Sequence, residues 1–102
     1  MTKNRLIEKL ESLENKTAII CMQQYDYFIA VMNFEVAGKE LLLKAGRDNS
    51  DDWHDWKQLT ADELISLLKE VPEDLTVVIK DGFYNWEVKD LIEEDNLIKC
   101  VR

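Results

Sequence analysis

Apolar residues along the chain recur first with a helical period and then with a strand period, and the change happens twice. Leu6, Ile7, Leu10 and Leu13 stand at i, i+1, i+4 and i+7, with Glu8, Lys9, Glu11 and Ser12 between them. That spacing predicts a one-sided helix over about residues 3–15, with Thr2 placed to cap its start. The texture then turns β-favouring over 17–23, 27–36 and 40–45, and Ala37-Gly38-Lys39 forms the second connection, so three strands are predicted. Residues 46–58 hold no sustained period and carry turn-forming Asn and Asp, which predicts a loop.

The second helix has the clearest local signal. Thr60 precedes Glu63 by three positions, a capping box in which each side chain satisfies a backbone N–H at the helix start, and Leu59 and Leu64 stand where a hydrophobic staple needs them. Leu64, Ile65, Leu67, Leu68 and Val71 make its apolar face, and Pro72 stops it. Strands are predicted over 75–80, 84–92 and 97–101, with an Asp81-Gly82 turn whose residues accept positive φ.

The halves therefore run in the same order. At a shift of 58, Thr2, Leu6, Ile7 and Leu10 fall on Thr60, Leu64, Ile65 and Leu68, and Ile19-Ile20-Cys21 falls on Val77-Val78-Ile79; the last strand needs a shift of 56. This register suggests internal duplication, although shared periodicities alone also align two such segments. The expected fold is α+β: two α-β-β-β halves, about 2–45 and 60–102, joined by an acidic-aromatic loop at 46–59, with antiparallel sheet or sheets and two helices packed on one face. All of it fits one domain, residues 1–102. Tyr84, Trp86 and Val88 alternate with polar residues, the mark of a strand with one wet face. In the first half Phe28, Ala30, Met32 and Phe34 point one way and Tyr27, Ile29 and Val31 the other, so both faces look buried. Helices cover one face, and the other needs the opposite half of the domain or a second chain.

Composition adds limits. A 46% hydrophobic fraction in 102 residues supports one core, and three Gly with one Pro leave no linker. The first residues lead into an amphipathic stretch and not an apolar run, so neither a secretory signal nor a membrane span is expected, and the protein is placed in the cytoplasm. Cys21 and Cys100 sit in apolar runs without metal-ligand spacing and read as buried thiols. Residues 60–102 carry 11 acidic and five basic residues, and hence -6 of the net -8. Such a surface repels nucleic acid and anionic bilayers and attracts a basic partner over a Debye length of about 8 Å.

Asp48, Asp51, Asp52 and Asp55 surround Trp53, His54 and Trp56. A calcium loop is excluded, because Trp53 stands where the tight turn needs Gly and Leu59 where a bidentate Glu belongs. As an interaction loop the stretch makes sense: Trp supplies anchoring area and carboxylates meet Arg or Lys. The alternative is that Trp53 and Trp56 fold back onto the sheet. Glu87, Glu93, Glu94 and Asp95 extend the candidate partner-binding set. His54 is the sole histidine, no complete catalytic constellation occurs, and mid-strand cysteines are poor nucleophiles, so no enzyme, metal or cofactor is expected. Basic residues are scattered and outnumbered, which argues against direct nucleic-acid binding.

Residues 59–88, with Thr60-x-x-Glu63-Leu64-Ile65-x-x-Leu68, Pro72-x-Asp74-x-x-Val77-x-Ile79 and Asp81-Gly82, resemble a helix-then-hairpin pattern common in small phage-encoded proteins. The resemblance implies a phage or mobile-element origin, where small acidic proteins bind and inhibit host defence nucleases. The first half departs from the pattern, with Asn15-Lys16 where Pro and Asp belong. The expected function is thus a non-catalytic, anti-CRISPR-like inhibitor that covers the basic surface of a nucleic-acid-processing or defence protein, carboxylates standing in for phosphates. An immunity protein for a nuclease toxin would show the same surface. A homodimer through the first-half sheet is the reading from a different class.

Overall fold

The structure, a computed structural model, describes residues 1–24, 27–45, 58–81 and 84–102. Its elements in order are α1 (Lys3–Glu11), β1 (Ile19–Gln24), β2 (Tyr27–Ala37), β3 (Glu40–Ala45), α2 (Ala61–Leu68), β4 (Thr76–Asp81), β5 (Tyr84–Glu87), β6 (Asp90–Glu94) and β7 (Leu97–Val101). Both helices start on the expected threonines. Thr2 Oγ1 accepts from the Arg5 N–H, and Thr60 with Glu63 completes the capping box. Burying Leu64, Ile65 and Leu68 stabilises α2 by about 1.5–3 kcal/mol per side chain relative to exposure, which a helix of eight residues needs.

The expected antiparallel arrangement is corrected in two respects. The strands make one seven-stranded sheet in the order β5-β4-β3-β2-β1-β7-β6, and it is mixed, because β3 pairs β4 and β1 pairs β7 in parallel. The single strand expected over 84–92 is two strands, since β5 pairs β4 while β6 pairs β7. Only Val88 and Lys89 separate them. The Val88 N–H donates to Val77 and the Lys89 N–H to Val101, so the chain steps from one margin of the sheet to the other and the sheet must curl to allow it.

Each ladder of the first half recurs in the second with both partners 57 positions on. Cys21–Ala30 recurs as Val78–Glu87, and Phe34–Leu43 recurs as Leu91–Cys100. The parallel pair Ile20–Ile98 is matched by Val77–Leu41. The residues leading into each helix lie along the first strand of the other half in the same manner. The Leu59 N–H donates to Val31 O (3.0 Å), Leu59 O accepts from Ile20 (2.9 Å), and the Ala61 N–H donates to Ala18 O (3.0 Å). Correspondingly, the Met1 ammonium donates to Val88 O (2.9 Å), Met1 O accepts from Val77 (2.8 Å), and the Lys3 N–H donates to Leu75 O (2.7 Å).

One core cluster contains Leu6 and Leu10 of α1, Leu64 and Leu68 of α2, and alternate strand residues including Ile20, Met22, Leu41, Leu43, Val77, Ile79 and Ile98. Both helices therefore pack on one face of the sheet. The β2 alternation read from sequence is broken by a bulge between Val31 and Asn33. The extra residue flips the phase, so Phe34 lies on the core side with Ile29 and Val31, while Phe28 and Ala30 point outward. The two faces of β2 are thus unlike, and Phe28 is 43% exposed.

Candidate functional site

Six of the ten candidate residues, Asp48, Asp51, Asp52, Trp53, Asp55 and Trp56, lie outside the described residues, as does His54. The other four fall in two places. Glu87 ends β5 and accepts hydrogen bonds from Lys89 Nζ (3.0 Å) and the Met1 ammonium (3.1 Å); these, Lys89 first, hold its carboxyl below the usual range. Glu93, Glu94 and Asp95 share the β6–β7 hairpin. Glu94 pairs with Lys99 (2.6 Å), Glu93 accepts the Asn15 N–H (3.4 Å), and Asp95 turns the chain with φ +53°. Strand β6 separates the hairpin tip from Glu87, so the four do not form one cluster.

The acid surplus of the second half divides by pairing. Glu87, Asp90 and Glu94 each have a cation, and the Lys9 hydrogen bond (2.6 Å), followed by the Leu91 N–H, pulls Asp90 below its ordinary value. In contrast, Asp62, Glu63, Glu70, Glu73 and Asp74 of α2 and its following turn, like Glu93 and Asp95 of the β6–β7 hairpin, form no ion pair among the described residues. Three of the five also serve the fold. Glu63 closes the capping box, Asp62 lies in the first turn where the helix dipole favours an anion, and Asp74 Oδ1 accepts the Asn4 N–H (3.0 Å) at the start of α1. Glu70 and Glu73 have no such duty. Leu67, 42% exposed, lies beside Asp62, Glu63 and Ser66 in a shallow depression.

The same face of α1 gives an internal comparison. With Thr2 laid on Thr60, Glu63, Leu67, Glu70 and Asp74 fall on Arg5, Lys9, Ser12 and Lys16. Arg5 is ion-paired to Glu8 and Lys9 to Asp90. The fold position thus imposes neither acid nor an exposed leucine. Sequence reading placed weight on the loop and passed over this face, although spacing the acidic residues by the period of α2 would have found it.

The thiols stand apart from these surfaces. Cys21 and Cys100 lie on adjacent strands but face opposite ways, Cys21 level with Lys99 on the outer face and Cys100 level with Met22 in the core. Both are free and buried. Burial lifts Cys21 to about 11, against a smaller opposing pull from Lys99, and lifts Cys100 to about 12. Such thiols stay protonated and make poor nucleophiles. Among the described residues no group of three or more His, Cys, Asp or Glu side chains is placed to hold a metal ion, and no helix is long and apolar enough to cross a membrane.

Comparison with protein-family models, curated proteins and solved structures finds no match to this chain.

Proposed function

We propose that the protein is a non-catalytic acidic binding protein that occupies the positively charged surface of a nucleic-acid-processing or defence protein, in the manner of small phage-encoded inhibitors. The observation that carries this reading is α2 and its following turn, where five carboxylates have no ion-pair partner among the described residues and two of them, Asp62 and Glu63, lie beside exposed Leu67. Unpaired carboxylates raise the local potential that steers a basic partner, and an apolar side chain among them supplies contact area once the partner arrives. Paired acids, such as Glu87, Asp90 and Glu94, contribute less because their cations already screen them. The resemblance of residues 59–88 to phage-encoded proteins points the same way, and the acidic loop 46–59 would add to the attraction.

In this reading the two halves descend from one α-β-β-β unit. The repeated ladders support that descent, and the contrast between α1 and α2 supports a later division of tasks.

The test is affinity capture from bacterial lysates at low and high salt, with the wild-type chain and with Asp62→Lys/Glu70→Lys/Glu73→Lys as baits. A basic protein retained by the wild type at low salt, released at high salt and lost to the variant is expected. Retention indifferent to both salt and charge reversal would end the reading.

A further inference from the structure

Neither half of the chain encloses a core of its own. In the first half the hairpins β1–β2 and β2–β3 share a strand, and in the second the hairpins β4–β5 and β6–β7 are joined at Val88–Lys89. Both ladders that unite these hairpins into one sheet run between the halves, β1 with β7 through Ile20–Ile98 and β3 with β4 through Leu43–Ile79. Ile20, Leu41 and Leu43 of the first half and Val77, Ile79 and Ile98 of the second are fully buried in one shared cluster. Polar contacts follow the same seam: Lys9 pairs with Asp90 (2.6 Å), Glu11 with Lys69 (3.7 Å), and Asn15 Nδ2 donates to Asn96 (3.1 Å). Both cysteines are free, so along the chain only residues 46–58 tie one half to the other.

We propose that a second copy of the chain fills this seam, so that two chains refolding together exchange halves: the first half of each pairs with the second half of the other. The seam itself fixes the occupant. The surface that a separated first half exposes is complementary to the second half, and every copy carries one. All the contacts just named recur in each lobe of the exchanged dimer, and only the path of 46–58 differs. The tether then decides the balance. A connection of this length presents its own second half at an effective concentration on the order of millimolar, so a second copy competes only as it approaches that concentration. Because the halves share one core, parting them means unfolding them, and the exchange belongs to refolding and not to the native state. Each exchanged dimer carries two copies of α2, and hence two sets of its carboxylates, on one particle.

The test uses the full chain with a protease recognition sequence inserted between Ser50 and Asp51, prepared with and without heavy-isotope labelling. Refolding from urea is expected to give monomer at micromolar concentration and a dimer fraction at about millimolar concentration, with one circular dichroism spectrum for both. Cutting the inserted sequence should turn the dimer into monomer-sized pairs of fragments. When labelled and unlabelled chains refold together, native mass spectrometry of the cut dimer should find light first halves paired with heavy second halves; chains mixed after folding should give none. A second measurement needs no insertion. Lys9→Asp and Asp90→Lys chains refolded together should give roughly twofold more dimer than either alone, because exchange restores an opposite-charge pair in both lobes. Absence of a dimer after millimolar refolding, a dimer that keeps its size after the cut, or equal yields from the mixed and the single variants would overturn the proposal. None of these outcomes depends on whether a basic partner exists.

Discussion

Gly38 and Asp95 occupy the same turn position 57 residues apart, and both hold positive φ, +62° and +53°. Each turn joins the second part of a long extended stretch to the last strand of its half. Gly adopts this left-handed conformation freely, and Asp is among the few other residues that tolerate it. A Cβ at Gly38 would meet nothing within 4 Å, so the cost of adding one is conformational and not steric. Gly38→Ala should destabilise by about 1 kcal/mol, and Gly38→Asn by less. Asp95→Val, which sets a β-branched residue there, should cost about 1–2 kcal/mol. Urea denaturation of the three variants checks this; a neutral Asp95→Val would contradict it.

Lys3 joins the helices of the two halves. Its side chain is buried and donates to the Val71 carbonyl just past α2, whose own last turn has no basic residue. Lys3→Ala removes that donor and strands a carbonyl, with an expected loss of about 1–3 kcal/mol. A midpoint in denaturant equal to that of the wild type would show that the contact contributes nothing.

The thiols set an alkaline limit on stability. Unfolded cysteines release their protons near 9.0, whereas the folded chain holds them to about 11 at Cys21 and about 12 at Cys100. Between those values the unfolded state binds fewer protons, so stability falls as pH rises from about 9 towards 12 and is unaffected by these groups below that window. A Cys21→Ala/Cys100→Ala variant should lose this slope. Native protein should also react slowly with a thiol reagent at neutral pH and quickly in urea, and fast native reaction would refute the burial argument.

The repeated ladders make a rearranged chain foldable. Ala45 and Leu59 are joined by residues 46–58, and Arg102 and Met1 stand at the corresponding places in the other half. A permutant that links Arg102 to Met1 through a copy of that segment, and opens the chain within 46–57, should keep the far-ultraviolet circular dichroism spectrum and unfold cooperatively. An unfolded permutant would count against equivalence of the halves.

What could be read from sequence was mostly local. Capping chemistry located both helices, and Gly38 marked a turn, while the expected Asp81-Gly82 turn reaches outside the described residues. The parallel pairs β1–β7 and β3–β4 were out of reach, because alternation tells which face a residue occupies but not which strand is its neighbour. The repeat was seen with its strand register one residue off. A shift of 58 sets Ile20 against Val78, yet Ile20 and Val77 are the core-facing equivalents. The helix-to-strand passage is one residue shorter in the second half, and periodicity averages over such a slip. The β2 bulge was equally hidden, since it appears only as an apolar run in which Val31, Met32 and Phe34 each suit a strand. Of the candidate site, the acidic bias was legible and its location was not, because pairing decides which carboxylates remain effective.

The two-residue joint at Val88–Lys89 has one more consequence. Both margins of the sheet belong to a single stretch, Tyr84–Glu94, which turns from one flank to the other after a strand of four residues and before one of five. Among the described strands, a foreign strand seeking to extend the sheet therefore meets no long unpaired ladder, but only two short ones separated by a step. Fibril growth needs a template of continuous backbone donors and acceptors. In this protein the chain uses its own crossing to remove that template.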